Sequence, residues 1–191
     1  MYNTNPPLFP NFFWNEYFWI TSANLQSWNG FQVRNGPYGA VSSDGVSDGR
    51  VHIVFAPEGR DEGPLRIDEI ESVKWVIDNE KNIHDALMAK LLKEYPSIKE
   101  EAAEWYEDED ISTLLPEIST VNELKKIVGI VSIYVHPIVK YGKPFIGVEL
   151  GCTWDDDHGV GVILHGENAL ECGGADTSML LWIAEKYEKM L

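Results

Sequence analysis

Three consecutive carboxylates and a histidine, Asp155, Asp156, Asp157 and His158, stand between Trp154 and Gly159 in the stretch CTWDDDHGVGV. Side chains of these types hold divalent metals or exchange protons with a substrate, so their spacing decides which chemistry is open to them. Calcium loops place carboxylates at alternate positions over about a dozen residues so that the chain wraps the ion. Four contiguous side chains project in different directions, and only Asp155 with Asp157, or Asp156 with His158, share a side of an extended chain. A metal would therefore need ligands from elsewhere, and the other histidines, His52, His84, His136 and His165, form no HxH, HxxxH or HExxH pattern. Acid–base catalysis by a carboxylate pair requires environments that push the two proton affinities apart, whereas water keeps neighbouring residues of an exposed turn alike. No metal or cofactor is expected on this reading. The alternative is a metal-dependent hydrolase centred on Asp155, Asp157 and His158, with Glu171 or Asp176 contributed by the neighbouring strand and helix.

The same residues make a good turn. Asp bonds its own backbone at turn starts and Gly159 accepts a positive φ, which predicts a hairpin loop of four or five residues with Trp154 ending one strand and Val160 opening the next. An imidazole at a strand end, here His158, typically bonds a loop carbonyl or an Asp. If Cys152 faces Gly161 and Gly161 faces Cys172, the two cysteines lie two strands, about 9–10 Å, apart, beyond disulfide reach. Two reduced, mostly buried thiols are expected. Neither cysteine has a readable catalytic motif, and GxSxG, GxxxxGK[ST] and GxGxxG are absent. Gly173-Gly174 could cradle an anion, but Asp176 beside it would repel one.

The elements that must position this loop follow from periodicity and punctuation. Residues 1–30 hold Phe9, Phe12, Phe13, Trp14, Tyr17, Phe18 and Trp19 and are expected to pack over a single domain spanning 31–191. Asn35-Gly36, Asp44-Gly45 and Asp48-Gly49 punctuate short antiparallel strands over 31–56, the best of them near 50–56. Ile67, Ile70, Val73 and Ile77 give a helical stripe; Ile83, Ala86, Leu87, Leu91 and Tyr95 give a second, which Pro96 should stop. Ser97 with Glu100 would open a third helix, and Thr120 with Glu123 a short fourth ending near Gly129. A β-meander follows over 130–139, 144–154, 159–165 and 169–173, with Pro137 demanding an edge or a bulge. Asp176 should cap a closing helix whose Met179, Leu180, Ile183, Ala184 and Tyr187 press on the sheet. The fold class is α+β: an antiparallel sheet with a C-terminal meander, packed against a layer of helices and closed by a C-terminal helix.

Charge narrows the partners. Fifteen Lys and Arg against 31 Asp and Glu leave a net charge of -16, which repels phosphate backbones and anionic membranes. Nucleic acid and membrane surfaces are not expected as ligands. A basic protein would be attracted, and Glu107, Asp108, Glu109 and Asp110, at the end of the acidic run from Glu100, join Trp154, Asp155, Asp156, Asp157 and His158 as candidate binding residues. No apolar run approaches the length of a membrane span; prolines at 6, 7 and 10 break any signal-peptide core, and two cysteines indicate no disulfide framework. The expected compartment is the cytoplasm.

GCTWDDDHGVGV followed by ECGGADTSMLLW resembles the C-terminal signature of an uncharacterised bacterial domain family, and IESVKWVIDNEKNIHDALMAKLLKEYP is similar to that family's helical segment. The likeness covers roughly 50–190. It implies a small bacterial cytosolic protein without an assigned activity, of the general kind that includes immunity proteins of toxin systems. The resulting expectation is a non-catalytic protein-protein interaction module, with an immunity-type inhibitor of a basic toxin domain as its specific form.

Overall fold

The computed structural model describes residues 11–33, 45–104, 106, 108–155 and 157–191. Seven strands form one sheet whose spatial order is the chain order: β1 (Phe13–Trp14), β2 (Trp19–Gln32), β3 (Val46–Phe55), β4 (Val128–Lys140), β5 (Lys143–Cys152), β6 (Val160–His165) and β7 (Asn168–Gly174). Neighbours pair antiparallel except β3 and β4, which run parallel through His52↔Ser132 to Phe55↔Val135. Parallel neighbours need a long crossover, and it is supplied by α1 (Ile67–Asp78), α2 (Glu80–Ala102), α3 (Asp108–Leu114) and α4 (Val121–Leu124). The α+β class holds, and the parallel junction is a feature the local sequence pattern did not contain.

Burial explains why the crossover folds onto the sheet. Thr21, Ile53, Ile133, Val148, Val162 and Cys172 form one row across six strands. Around it Val73, Val76, Ile83, Leu87, Met88 and Leu91, from the helices, close the larger of two apolar clusters among the described residues. Leu25, Trp28 and Phe31 of β2 are in that core; each such side chain contributes roughly 1.5–3 kcal/mol. Part of the aromatic N-terminal segment is thus a full strand starting at Trp19, with Phe12 and Trp19 packed on the core and Phe13 and Tyr17 exposed. Phe9 and the Asn35-Gly36 and Asp44 turn residues lie outside the described residues.

Several boundaries differ from expectation for identifiable reasons. Pro96 lies inside α2, which continues to Ala102; Tyr95 and Ile98, packed on the core at either side, hold the helix across the missing N–H. Ser97 and Glu100 therefore do not open a new helix. In α1 the buried face is Glu69, Ser72, Val73 and Val76, while Ile67 is 78% exposed. Glu69 is drawn inward by Arg60, whose Nε lies 3.1 Å from its Oε1. The Thr120–Glu123 capping box is present, yet α4 stops at Leu124 because β4 begins at Val128. Pro137 falls at a register shift between Val135 and Val139, beyond the last β3 partner. The closing helix is two, α5 (Asp176–Met179) and α6 (Leu181–Met190), separated by extended Leu180. Ala175 rather than Asp176 takes the cap position, with no side-chain cap bond. Ile183 and Ala184 pack on Phe145 and Ile163, on the sheet face opposite the crossover helices.

Candidate functional site

The loop between β5 and β6 spans seven positions, longer than a tight hairpin. At that end β5 pairs with β4 instead of β6: Cys152 opposes Val128, and the Thr153 N–H donates to the Ile127 carbonyl at 3.0 Å. β6 takes up pairing only from Val160, opposite Leu150. The expected register is corrected accordingly, since Gly161 faces Glu149 and Gly173 while Cys172 faces Val162. Neither cysteine is in a disulfide; Cys152 is buried, its Sγ donating to the Asp155 carbonyl at 3.5 Å, and Cys172 is half-buried. Burial, then the nearby Glu94 charge, pushes the Cys172 thiol up to about 11, which keeps it protonated and unreactive at neutral pH.

Within the loop Asp155 is the organising residue. Its Oδ1 accepts from the His158 N–H at 2.9 Å and lies 3.2 Å from His158 Nδ1. Its carbonyl accepts from the Gly159 N–H at 3.0 Å, and Gly159 has φ +72°. One carboxylate is thus spent on closing the turn. His158 contacts that carboxylate while its side chain remains 75% exposed, so it both fixes the loop and faces outward. Asp157 is also exposed. Trp154 is buried, edge-on to Tyr95 with ring centroids 5.9 Å apart. It is a lid on the core.

The structure brings the two acidic segments together. Tyr106 Oη donates to the Trp154 carbonyl at 2.8 Å, and Thr153 Oγ1 donates to the Leu114 carbonyl at the end of α3. Asp108, Glu109 and Asp110 form the first turn of α3, whereas Glu107 and Asp156 lie outside the described residues. Among the described residues no group of three or more His, Cys, Asp and Glu side chains is placed to hold a metal ion. Nor is any described helix long and apolar enough to cross a membrane.

A second polar cluster was not anticipated. On the sheet face covered by α5, Tyr134 and Glu149 are buried and the Tyr134 hydroxyl donates to Glu149 Oε2. Burial, then the repulsion of Asp176, raises the Glu149 carboxyl above the usual carboxylate range, against the hydrogen bond from Tyr134. Burial and the same carboxylate raise the Tyr134 phenol. Two residues further along β4, His136 is fully buried, with Nε2 3.0 Å from the Ser178 carbonyl. A lone Glu inside the apolar run FIGVELGC, and Tyr and His at alternate positions of β4, were the available signals. Neither pattern reveals the cluster locally, because the partners come from other elements.

A family model described as a domain of unknown function, DUF6985, matches residues 31–180. The chain belongs to this family. The DUF6985 domain takes in the end of β2, the whole crossover, the meander and α5, and stops before α6. It contains both polar clusters. No curated protein and no solved structure matches the chain.

Proposed function

We propose that the chain is a bacterial, non-catalytic interaction module that binds a basic protein, with the acidic segment at 107–110 and the loop at 154–158 as one recognition face. The observation that carries this reading is the tie of Tyr106 to Trp154 and of Thr153 to Leu114, which joins two acidic segments distant in sequence. The charge of -16 supports it, because among the carboxylates whose burial is described only Glu69 and Glu149 are buried. Such a surface accelerates encounter with a basic protein and fixes register more than it adds affinity. A basic toxin domain, held by an immunity-type inhibitor in the cytoplasm, is the specific partner that fits this charge and the family resemblance.

The test is co-purification from the native host under gentle lysis at low salt, followed by elution with rising salt, for the natural chain and for a variant carrying Asp157→Lys. A basic protein retained at low salt, released by high salt and weakened by the charge reversal is the expected outcome. A chain that elutes alone, or a partner insensitive to salt, would remove the reading. Incubation with zinc, manganese or calcium followed by metal analysis separates the hydrolase alternative: stoichiometric metal lost on Asp155→Ala would favour it.

A further inference from the structure

The C-terminal segment is held to the sheet by Ile183 and Ala184 on Phe145 and Ile163, by Lys186 and Tyr187 on Glu171 and by Lys140 on the Glu188 carbonyl, and its backbone meets the sheet at Gly147 and Gly161. The Ser178 carbonyl rests on Gly147, where any Cβ would collide with it, and accepts from His136 Nε2 at 3.0 Å. Gly161 makes the neighbouring floor, under the backbone of Gly174, Ala175 and Ser178. Directly after this contact comes extended Leu180, and then the Leu181 N–H that donates to Glu58 Oε2. His136 Nδ1 is buried and has no hydrogen-bond partner among the described residues. The imidazole can therefore satisfy the contact as the neutral tautomer that carries its proton on Nε2, but a second proton on Nδ1 would have no acceptor.

We propose that α5 and α6 form a cover over the Tyr134–Glu149 pair, latched by neutral His136 on the Ser178 carbonyl and released when His136 takes a second proton. Release lets Leu180 and the residues around it move away from the glycine floor and exposes the buried carboxylate. The direction follows from linkage. Burial lowers His136 from its ordinary 6.5 to about 4 in the closed form, so the open form binds more protons as pH falls below 6.5, and opening is favoured progressively down to about 4. The charged and titratable groups on the elements packed here are Glu58 after β3, Tyr134 and Lys140 on β4, Lys143 and Glu149 on β5, His165 on β6, Glu171 and Cys172 on β7, Asp176 on α5, and Glu185, Lys186, Tyr187, Glu188 and Lys189 on α6. Burial drives the effect against two opposing contributions, the hydrogen bond to Ser178 and then the charge of Glu58, both of which favour protonated His136 in the closed form. Glu149, whose carboxyl is raised in the closed form, also opposes it by binding its proton more readily there.

Hydrogen exchange of the full chain tests this, with each amide referred to its intrinsic rate and α2 as internal reference. Moving the imidazole from about 4 to 6.5 on opening gives a loss of protection of roughly seventyfold in residues 178–190 between pH 7.5 and 4.5. Residues of α2 and β5 should keep theirs. His136→Gln, which can donate to the same carbonyl without titrating, should abolish the pH response, and Glu149→Gln should enlarge it. Loss of protection in step with α2, no change with pH, or an unchanged response in His136→Gln would each overturn the proposal. If the glutamine variant does not fold, the titration of His136 followed by NMR in the natural chain serves instead: a transition tracking the exchange of α6 supports the latch, and one without it refutes it.

Discussion

At the scale of single residues, Asp155 and His158 differ in what they do despite lying in one motif. The Asp155 carboxylate accepts the His158 N–H and closes the loop, so Asp155→Ala should cost about 1 kcal/mol, the usual worth of a hydrogen bond that fixes a turn. His158→Ala should stay within about 0.5 kcal/mol, as exposed substitutions do; urea titrations of both variants check the contrast. Glu149 carries a different signature. Its carboxyl is raised by burial, so its contribution is fullest below the ordinary carboxylate range and is lost as pH rises through the raised value. Glu149→Gln should be more stable than the natural chain at pH 8, with the gap closing toward pH 4, which denaturant melts across that range would show.

At the scale of elements, α2 and the C-terminal segment show which signals were legible. The β4–β7 meander was readable to within a few residues because alternation and turn residues are local, as at Tyr141-Gly142 and Gly166. The helical stripe of Ile83, Leu87 and Leu91 was equally plain. Pro96 misled because a propensity of about 3 kcal/mol against the helix interior is set against tertiary packing that no local window contains. That conflict makes a prediction: Pro96 is exposed within a continuous α2, so Pro96→Ala should stabilise the chain by about 1–3 kcal/mol in urea unfolding. A helix that truly ended at Tyr95 would gain almost nothing. The loop of Asp155–His158 was legible as a turn, but its union with the 107–110 segment depends on Tyr106 reaching the Trp154 carbonyl, a contact across 48 positions. Likewise the Tyr134–Glu149 pair joins two strands, and the floor of Gly147 and Gly161 acquires its meaning only under Ser178. Gly161→Ala should cost about 1–3 kcal/mol by overpacking against that backbone.

For the whole molecule, the charge of -16 on a mostly surface-exposed set of carboxylates implies self-repulsion in the folded state. Raising salt from about 10 to about 200 mM shrinks the screening length from roughly 30 to under 10 Å, and stability in the absence of a partner should rise with it, as thermal unfolding at the two salt concentrations would show. The parallel junction between β3 and β4 bears on how the chain comes to be folded. The other described pairings join strands through much shorter connections, whereas His52 must find Ser132 across the entire crossover. Such non-local closures are slow. During synthesis β2 and β3 leave the ribosome as an isolated ribbon, with the β3 edge bare until β4 has been made, and that edge can meanwhile pair with a strand of another chain. Yield in the cell should therefore depend on how long that edge stays open, so slowing translation within the crossover is expected to favour aggregates over folded protein.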